Sequence, residues 1–188
     1  QGRLAAVAGA SGLALVSAGA DGLGAGSGWA LHVDPAAERN MYTRALVWAG
    51  DTLVVAVANG KRRLQPGLRA YTPLRYAQHE FPGPAVATIA LDSHVRMLAA
   101  DGELVVALCS DGTFVVVHNR ASVPKGDPVT VSRIKEVEFR EAASCRRFCV
   151  VAALQSCLPT QTDGTLLQVD LTTGKSKRVA TNIGDAWH

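Results

Sequence analysis

Apolar residues in this chain come in short runs bounded by glycine and aspartate, and the runs come in pairs. Gly12-Leu13-Ala14-Leu15-Val16 is followed by Trp29-Ala30-Leu31-His32-Val33, and Asp51-Thr52-Leu53-Val54-Val55-Ala56-Val57 by Leu68-Arg69-Ala70-Tyr71. The clearest pair is Gly102-Glu103-Leu104-Val105-Val106-Ala107-Leu108 and Thr113-Phe114-Val115-Val116-Val117, joined by Ser110-Asp111-Gly112. The last is Phe148-Cys149-Val150-Val151-Ala152-Ala153-Leu154 and Thr165-Leu166-Leu167-Gln168-Val169, with Thr162-Asp163-Gly164 between. The runs are too short and too rich in valine for helices. A β-branched side chain is stiff at χ1 and suits a pleated surface. Asp-Gly supplies the positive φ of tight hairpin turns, so Asp101-Gly102, Asp111-Gly112 and Asp163-Gly164 are predicted turns. The runs do not alternate with polar residues. The strands are therefore expected to be apolar on both faces, as in sheets stacked against neighbours.

The pairs repeat. Matching Leu13, Leu53, Leu104 and Cys149 gives separations of 40, 51 and 45 residues. A period of roughly 40–50 residues with several short strands per repeat is that of a β-propeller, whose blades are four-stranded. An earlier strand in each repeat is predicted at residues 4–8, 44–48, 86–91 with 95–99, and 137–139. The fold class is all-β, with about four four-stranded antiparallel blades, a count that follows from chain length and period. The expected organisation is one propeller domain or segment over residues 1–188, with blades at 1–40, 41–78, 79–120 and 121–175, and the start of a further blade at 176–188. Stacked blades leave an apolar flank and open edges unless the ring closes. Three solutions exist: a small four-bladed ring, a partner chain over the open side, or membership of a larger ring. Ile183-Gly184-Asp185-Ala186-Trp187-His188 reads as the beginning of another blade and favours the last.

Residues 104–117 and 148–171, where apolar run, Asp-Gly turn and apolar run recur, resemble the WD40-like propeller superfamily. The Gly-His and Trp-Asp dipeptides of ordinary WD40 repeats are absent at the expected places. The resemblance implies a scaffold for protein partners, as a subunit of a multi-protein complex. It carries over no catalytic residue.

Composition adds limits. The chain of 188 residues is 48% hydrophobic and 19% charged, which suits a soluble globular domain with one sizeable core. The net charge of +3 is small, and arginines at Arg3, Arg39, Arg44, Arg75 and Arg96 are scattered along the chain. The denser basic groups are Lys61-Arg62-Arg63, Arg146-Arg147 and Lys175-Ser176-Lys177-Arg178. A nucleic-acid binder gathers such charge on one face, so nucleic acid is not the expected partner. No apolar run reaches the roughly 18 residues of a membrane span. The first twenty residues carry one charge and a broken apolar stretch, unlike a signal peptide. Cys109, Cys145, Cys149 and Cys157 form no C-x-x-C pair and are read as reduced thiols, which points to the cytoplasm or nucleus.

Candidate chemistry is sparse. Cys145, Cys149 and Cys157 with His118 or His188 hold metal-ligating atoms, but at spacings unlike zinc knuckles; small buried side chains explain them more simply. Ser93-His94 and Ser110-Asp111 contain the residue types of a hydrolytic triad without a Gly-x-Ser-x-Gly elbow. The glycine-rich stretch at 19–28 matches neither phosphate-binding spacing and leads into a strand rather than a helix. Residues 121–128, Pro66-Gly67 and 81–84 read as linkers, and Trp29, Trp48 and Trp187 as core aromatics. No catalytic, cofactor-binding or metal residue is assigned, and the reading leans away from an enzyme. The alternatives are a propeller enzyme or small-ligand or glycan module with its site at the central channel, and a nucleic-acid-associated scaffold using the basic loops.

Overall fold

The computed structural model describes residues 3–9, 12–18, 30–32, 41–59, 66–71, 85–120 and 130–183. Among these, fifteen strands form four antiparallel sheets. The first holds β1 (Arg3–Gly9), β2 (Gly12–Ala18) and β3 (Ala30–His32); the second β4 (Met41–Ala49), β5 (Thr52–Asn59), β6 (Gly67–Tyr71) and β7 (Ala87–Ala90). The third holds β8 (Val95–Asp101), β9 (Leu104–Cys109), β10 (Thr113–Arg120) and β11 (Thr130–Glu138). The fourth holds β12 (Cys145–Val151), β13 (Ser156–Gln161), β14 (Leu166–Asp170) and β15 (Ser176–Ala180). Two short 3-10 turns, Ala142–Ser144 and Ala152–Leu154, flank β12. Every sheet is a meander in which each strand pairs with its sequence neighbour.

The valine runs of the second and third sheets are buried on both faces because each of these sheets lies between two others. Successive residues of a strand point to opposite sides. Leu104, Val106 and Leu108 accordingly pack with Val150, Cys157 and Val169 of the fourth sheet. Val105, Ala107 and Cys109 pack the other way, with Val54, Ala56 and Leu68 of the second. In β10, Phe114 and Val116 join the first group, Val115 and Val117 the second. Leu53 and Val55 turn toward the first sheet, where they meet Ala6, beside the half-buried Trp48 of their own sheet. Each such side chain taken out of water contributes about 1.5–3 kcal/mol, so a strand buried on both sides yields nearly twice what a half-exposed one does. Phe114 is fully buried; its ring stacks on Phe139 at 4.9 Å and meets the edge of Phe148 at 5.3 Å.

The sheets converge on their first strands: β1 packs on β4, β4 on β8 and β8 on β12, more closely than the fourth strands β7 and β11 approach each other. One connection recurs in three sheets. A residue just beyond the fourth strand, the next one in two sheets and the third in the last, donates its N–H to the loop between the second and third strands: Leu91 to Pro66 (2.8 Å), Phe139 to Gly112 (2.9 Å) and Ile183 to Gly164 (2.9 Å). Leu91 and Phe139 are then sealed between two sheets, and Ile183 is half-exposed.

The predicted turns are observed. Gly102, Gly112 and Gly164 have φ of 58°, 92° and 78°. At two of them the aspartate closes the turn, with Asp111 Oδ1 accepting from the Thr113 N–H (2.9 Å) and Asp163 Oδ1 from the Thr165 N–H (2.8 Å).

The expected blade divisions shift. β7 pairs with β6, carrying the second sheet to residue 90, and β11 pairs with β10, carrying the third to 138. Residues 86–91 and 137–139 thus belong to fourth strands, not to first strands of the following blades. Ser176–Ala180 pairs with β14 and closes the fourth sheet rather than opening a further blade. These outer strands are not written as apolar runs because at least one of their sides approaches solvent: Thr88 and Ala90 of β7 are exposed, as are all of Ser176 to Val179 in β15. Phe148–Leu154 is the other correction. Cys149 lies in a first strand, and the true counterpart of β9 is β13, whose Ser156, Thr160 and Gln161 interrupt any apolar pattern. Pro66-Gly67, expected as a linker, opens β6 at Gly67. The stretches 19–28, 61–63, 81–84 and 121–128, with Trp29 and Trp187, lie outside the described residues.

Replacing Phe114 with alanine removes the ring on which two others pack, and a loss of about 3–5 kcal/mol in urea unfolding is expected. The Asp163 and Asp170 carboxyls are held below their ordinary value, Asp163 chiefly by the Thr165 N–H and Asp170 by the Thr173 and Thr172 N–H groups. A lowered folded-state pKa stabilises above the unfolded value and the gain is lost as pH falls through the folded one. The melting temperature should therefore drop as pH falls below 3.8, and less steeply in an Asp163→Asn, Asp170→Asn variant.

Candidate functional site: an arginine-bearing rim

Three of the first strands carry a β-bulge at the same place. The β4–β5 register breaks between Thr43 and Ala45, that of β8–β9 between Val95 and Met97, and that of β12–β13 between Cys145 and Arg147. The residue left out of the ladder is Arg44, Arg96 or Arg146, and all three are exposed. Each lies five residues before the last paired position of its strand, at Ala49, Asp101 and Val151. A bulge residue leaves the alternation of the pleat and is re-aimed by the local twist.

The main chain holds these positions. Two residues before Arg96, the His94 carbonyl accepts from the Ser110 N–H (2.8 Å); two before Arg146, the Ser144 carbonyl accepts from Thr162 (2.9 Å). The starts of β8 and β12 are thereby tied to the turn between the second and third strands of their own sheets. Arg96 also reaches the next sheet, with Nη1 donating to the Ala142 carbonyl (3.0 Å) and Nη2 to that of Cys145 (3.5 Å). At the opposite end of the sheets, Asp101 Oδ2 accepts from the Ala152 N–H (2.8 Å), and the buried Asn119 donates through Nδ2 to the Ala49 carbonyl (2.9 Å).

Solved structures resemble the overall fold. A crystal structure of a mitotic checkpoint complex matches with a TM-score of 0.60 at 15% identity, over 96% of this chain and 47% of that one. The β-propeller domain of Cps50 (Swd1) from Myceliophteria thermophila matches with a TM-score of 0.63 at 13% identity, over 94% of this chain and 55% of that one. The computationally designed Ika8 protein matches with a TM-score of 0.52 at 15% identity, over 96% of this chain and 46% of that one. The chain has a β-propeller fold. It spans about half the length of the structures it matches. No protein-family model matches the propeller sequence, and comparison with curated proteins finds no relative.

In propeller terms the four sheets are blades, their converging first strands are the inner ones, and the bulges sit on the inner rim at the end where the chain enters each blade. The sequence reading missed this site. Arg44 and Arg96 looked scattered and Arg146 looked like half of a basic pair. The usable signal was their spacing, close to the repeat length.

The residues singled out from sequence are placed as follows. Ser93, His94, Ser110 and Asp111 do come together, as a clasp between the entry to the third blade and its β9–β10 turn. The Ser93 and Ser110 hydroxyls lie 3.0 Å apart, Ser110 Oγ donates to the His94 carbonyl (3.1 Å), and Ser93 Oγ accepts from the Asp111 N–H (3.2 Å). The histidine contributes its main chain and the aspartate caps Thr113, so these four groups act as a structural joint. His118 Nε2 faces Glu103 Oε2 at 3.8 Å. Cys145 and Cys157 are buried in the core between the third and fourth blades, Cys149 is exposed, and His188 lies outside the described residues. Among the described residues no three His, Cys, Asp or Glu side chains converge as metal ligands. The basic residues Lys177 and Arg178, expected in a loop, lie on the exposed edge strand β15, where charge discourages pairing with another chain. Between β11 and the β14–β15 turn runs a polar groove of about 490 Å³ with mixed charge, lined by Lys135, Glu138, Arg140, Glu141 and Lys175. Among the described residues no helix is long and apolar enough to cross a membrane.

Burial pushes the Cys145 thiol up to about 11 despite the nearby Arg96, and raises Cys157 further, helped by Cys145 and Cys149. A thiol with a raised folded-state pKa binds its proton more tightly in the folded protein, so stability is lost as pH climbs from 9.0 toward 11. Thiol labelling at neutral pH should modify Cys149 first, with Cys109, Cys145 and Cys157 reacting only in denaturant; intact-mass measurement checks this, and early labelling of Cys157 would contradict the packing.

Proposed function

We propose that this chain contributes blades to a non-catalytic propeller scaffold that holds protein partners in a larger assembly. The observation that carries this reading is the inner rim. Long exposed side chains stand at equivalent bulges on three neighbouring inner strands, and at two of them, β8 and β12, a main-chain hydrogen bond fixes the strand start. A rigid, repeated presentation of this kind lowers the ordering cost of binding, and arginine is among the residues enriched at interaction hot spots. The match to a structure of a mitotic checkpoint complex, itself an assembly, supports the same direction. Four cysteines free of disulfides suit a reducing compartment, and we propose the cytoplasm or nucleus.

The test is light scattering on the polypeptide purified from its source, followed by mass spectrometry of the same peak. A stable species heavier than the polypeptide itself, with co-eluting proteins at fixed ratio, is expected. A single polypeptide that turns over a small molecule would overturn the scaffold reading.

A further inference from the structure

The rim arginines occupy positions where the pleat imposes no side-chain type, since a bulge residue neither packs into a core nor pairs across the ladder. Yet the residue there is arginine in all three described first-strand bulges, at 44, 96 and 146, whereas the outer-strand irregularities of β11 and β15 leave out Ile134 and Val179. Folding of the sheets does not explain this choice at Arg44. At Arg96 the guanidinium is steadied by the carbonyls of Ala142 and Cys145. Those acceptors are neutral, so they orient the group without cancelling its charge, and they use two of its five N–H donors.

We infer that this rim binds an acidic segment of a protein partner, with side-chain carboxylates seated on the guanidiniums of Arg44, Arg96 and Arg146. The inference rests on the scaffold reading and names the chemistry of its partner. Guanidinium is planar, permanently charged and matched to a carboxylate through paired N–H donors, which a lysine ammonium is not. The distribution of charge favours a peptide over nucleic acid. The inner strands present one arginine per blade at the bulge, whereas a polyanionic backbone is held by a continuous track of cations. Exposed carboxylates also stand beside the rim, at Asp92 before β8 and at Glu141 next to the carbonyl that holds Arg96. Such mixed ground suits a ligand that places single carboxylates on single guanidiniums.

The experiment uses the full chain and a fluorescein-labelled hexaglutamate peptide, with hexaglutamine and oligouridine as comparison ligands, read by anisotropy at low salt. The chain with Arg44→Gln and Arg146→Gln, which leaves the Arg96 clasp intact, is compared with one carrying Lys177→Gln and Arg178→Gln, which removes the same charge from β15. Hexaglutamate affinity should fall about tenfold or more in the rim variant, the loss of one charge-assisted contact, and stay unchanged in the β15 variant. Circular dichroism melting confirms that the variants fold, and Arg44→Gln alone serves if the double change does not. Equal loss in both variants would reduce the effect to net charge. Tighter binding of oligouridine than of hexaglutamate would move the site to nucleic acid, and no binding of hexaglutamate to the unaltered chain would end the proposal. Substituting the rim in the source separates the two readings. An assembly that persists without the arginines keeps the scaffold and discards the acidic partner, and the absence of any assembly discards the scaffold whatever the peptide does.

Discussion

Everything in this molecule depends on sheets that are apolar on both faces. A strand such as Leu104–Cys109, buried along its whole length, has no solvent side at all. It folds only between two other sheets. Stacking is therefore not an arrangement the sheets adopt after forming; it is the condition under which they form. The convergence on β4, β8 and β12 follows, since twisted sheets stacked face to face in one direction close more tightly at one edge than at the other. So does the rim, which is where those converging edges begin.

The sequence showed what stacking demands and hid what it does not. Strands β5, β9 and β10 were legible because both their faces are core, and the Asp-Gly turns because only a few residue pairs satisfy their dihedrals. The outer strands β11 and β15 were not, because a strand beside solvent can be written in serine, lysine and glutamate. β13 was lost for a related reason: Ser156, Thr160 and Gln161 are buried, but they break the valine run by which the other second strands were recognised. The mistaken match of Cys149 to Leu104 came from that gap, an apolar first strand standing in for a second strand with no apolar signature.

The candidate site failed to show itself for a different reason. Charge counted along a chain measures proximity in sequence, and in stacked blades proximity in space recurs once per repeat. Arg44 and Arg96 are far apart in one measure and in equivalent positions of adjacent inner strands in the other. The serine, histidine and aspartate that suggested a hydrolytic relay show the converse. Residues 93, 94, 110 and 111 do meet, yet they meet through hydroxyls and main-chain groups that splice a blade's entry to its turn. Residue type raised the chemical question and hydrogen-bond geometry answered it.

The bulges at Arg44, Arg96 and Arg146 have a consequence for how such a surface changes over time. In an ordinary strand every position is committed to one face, and a substitution is judged by the core or by the neighbour opposite. The residue a bulge adds is outside that accounting, although Arg96 shows that its side chain can take on a bond to the next blade. Recognition and folding are thereby written at separate positions of the same strand. A lineage of chains with this fold can keep its valines under strict selection while the rim drifts from one ligand chemistry to another.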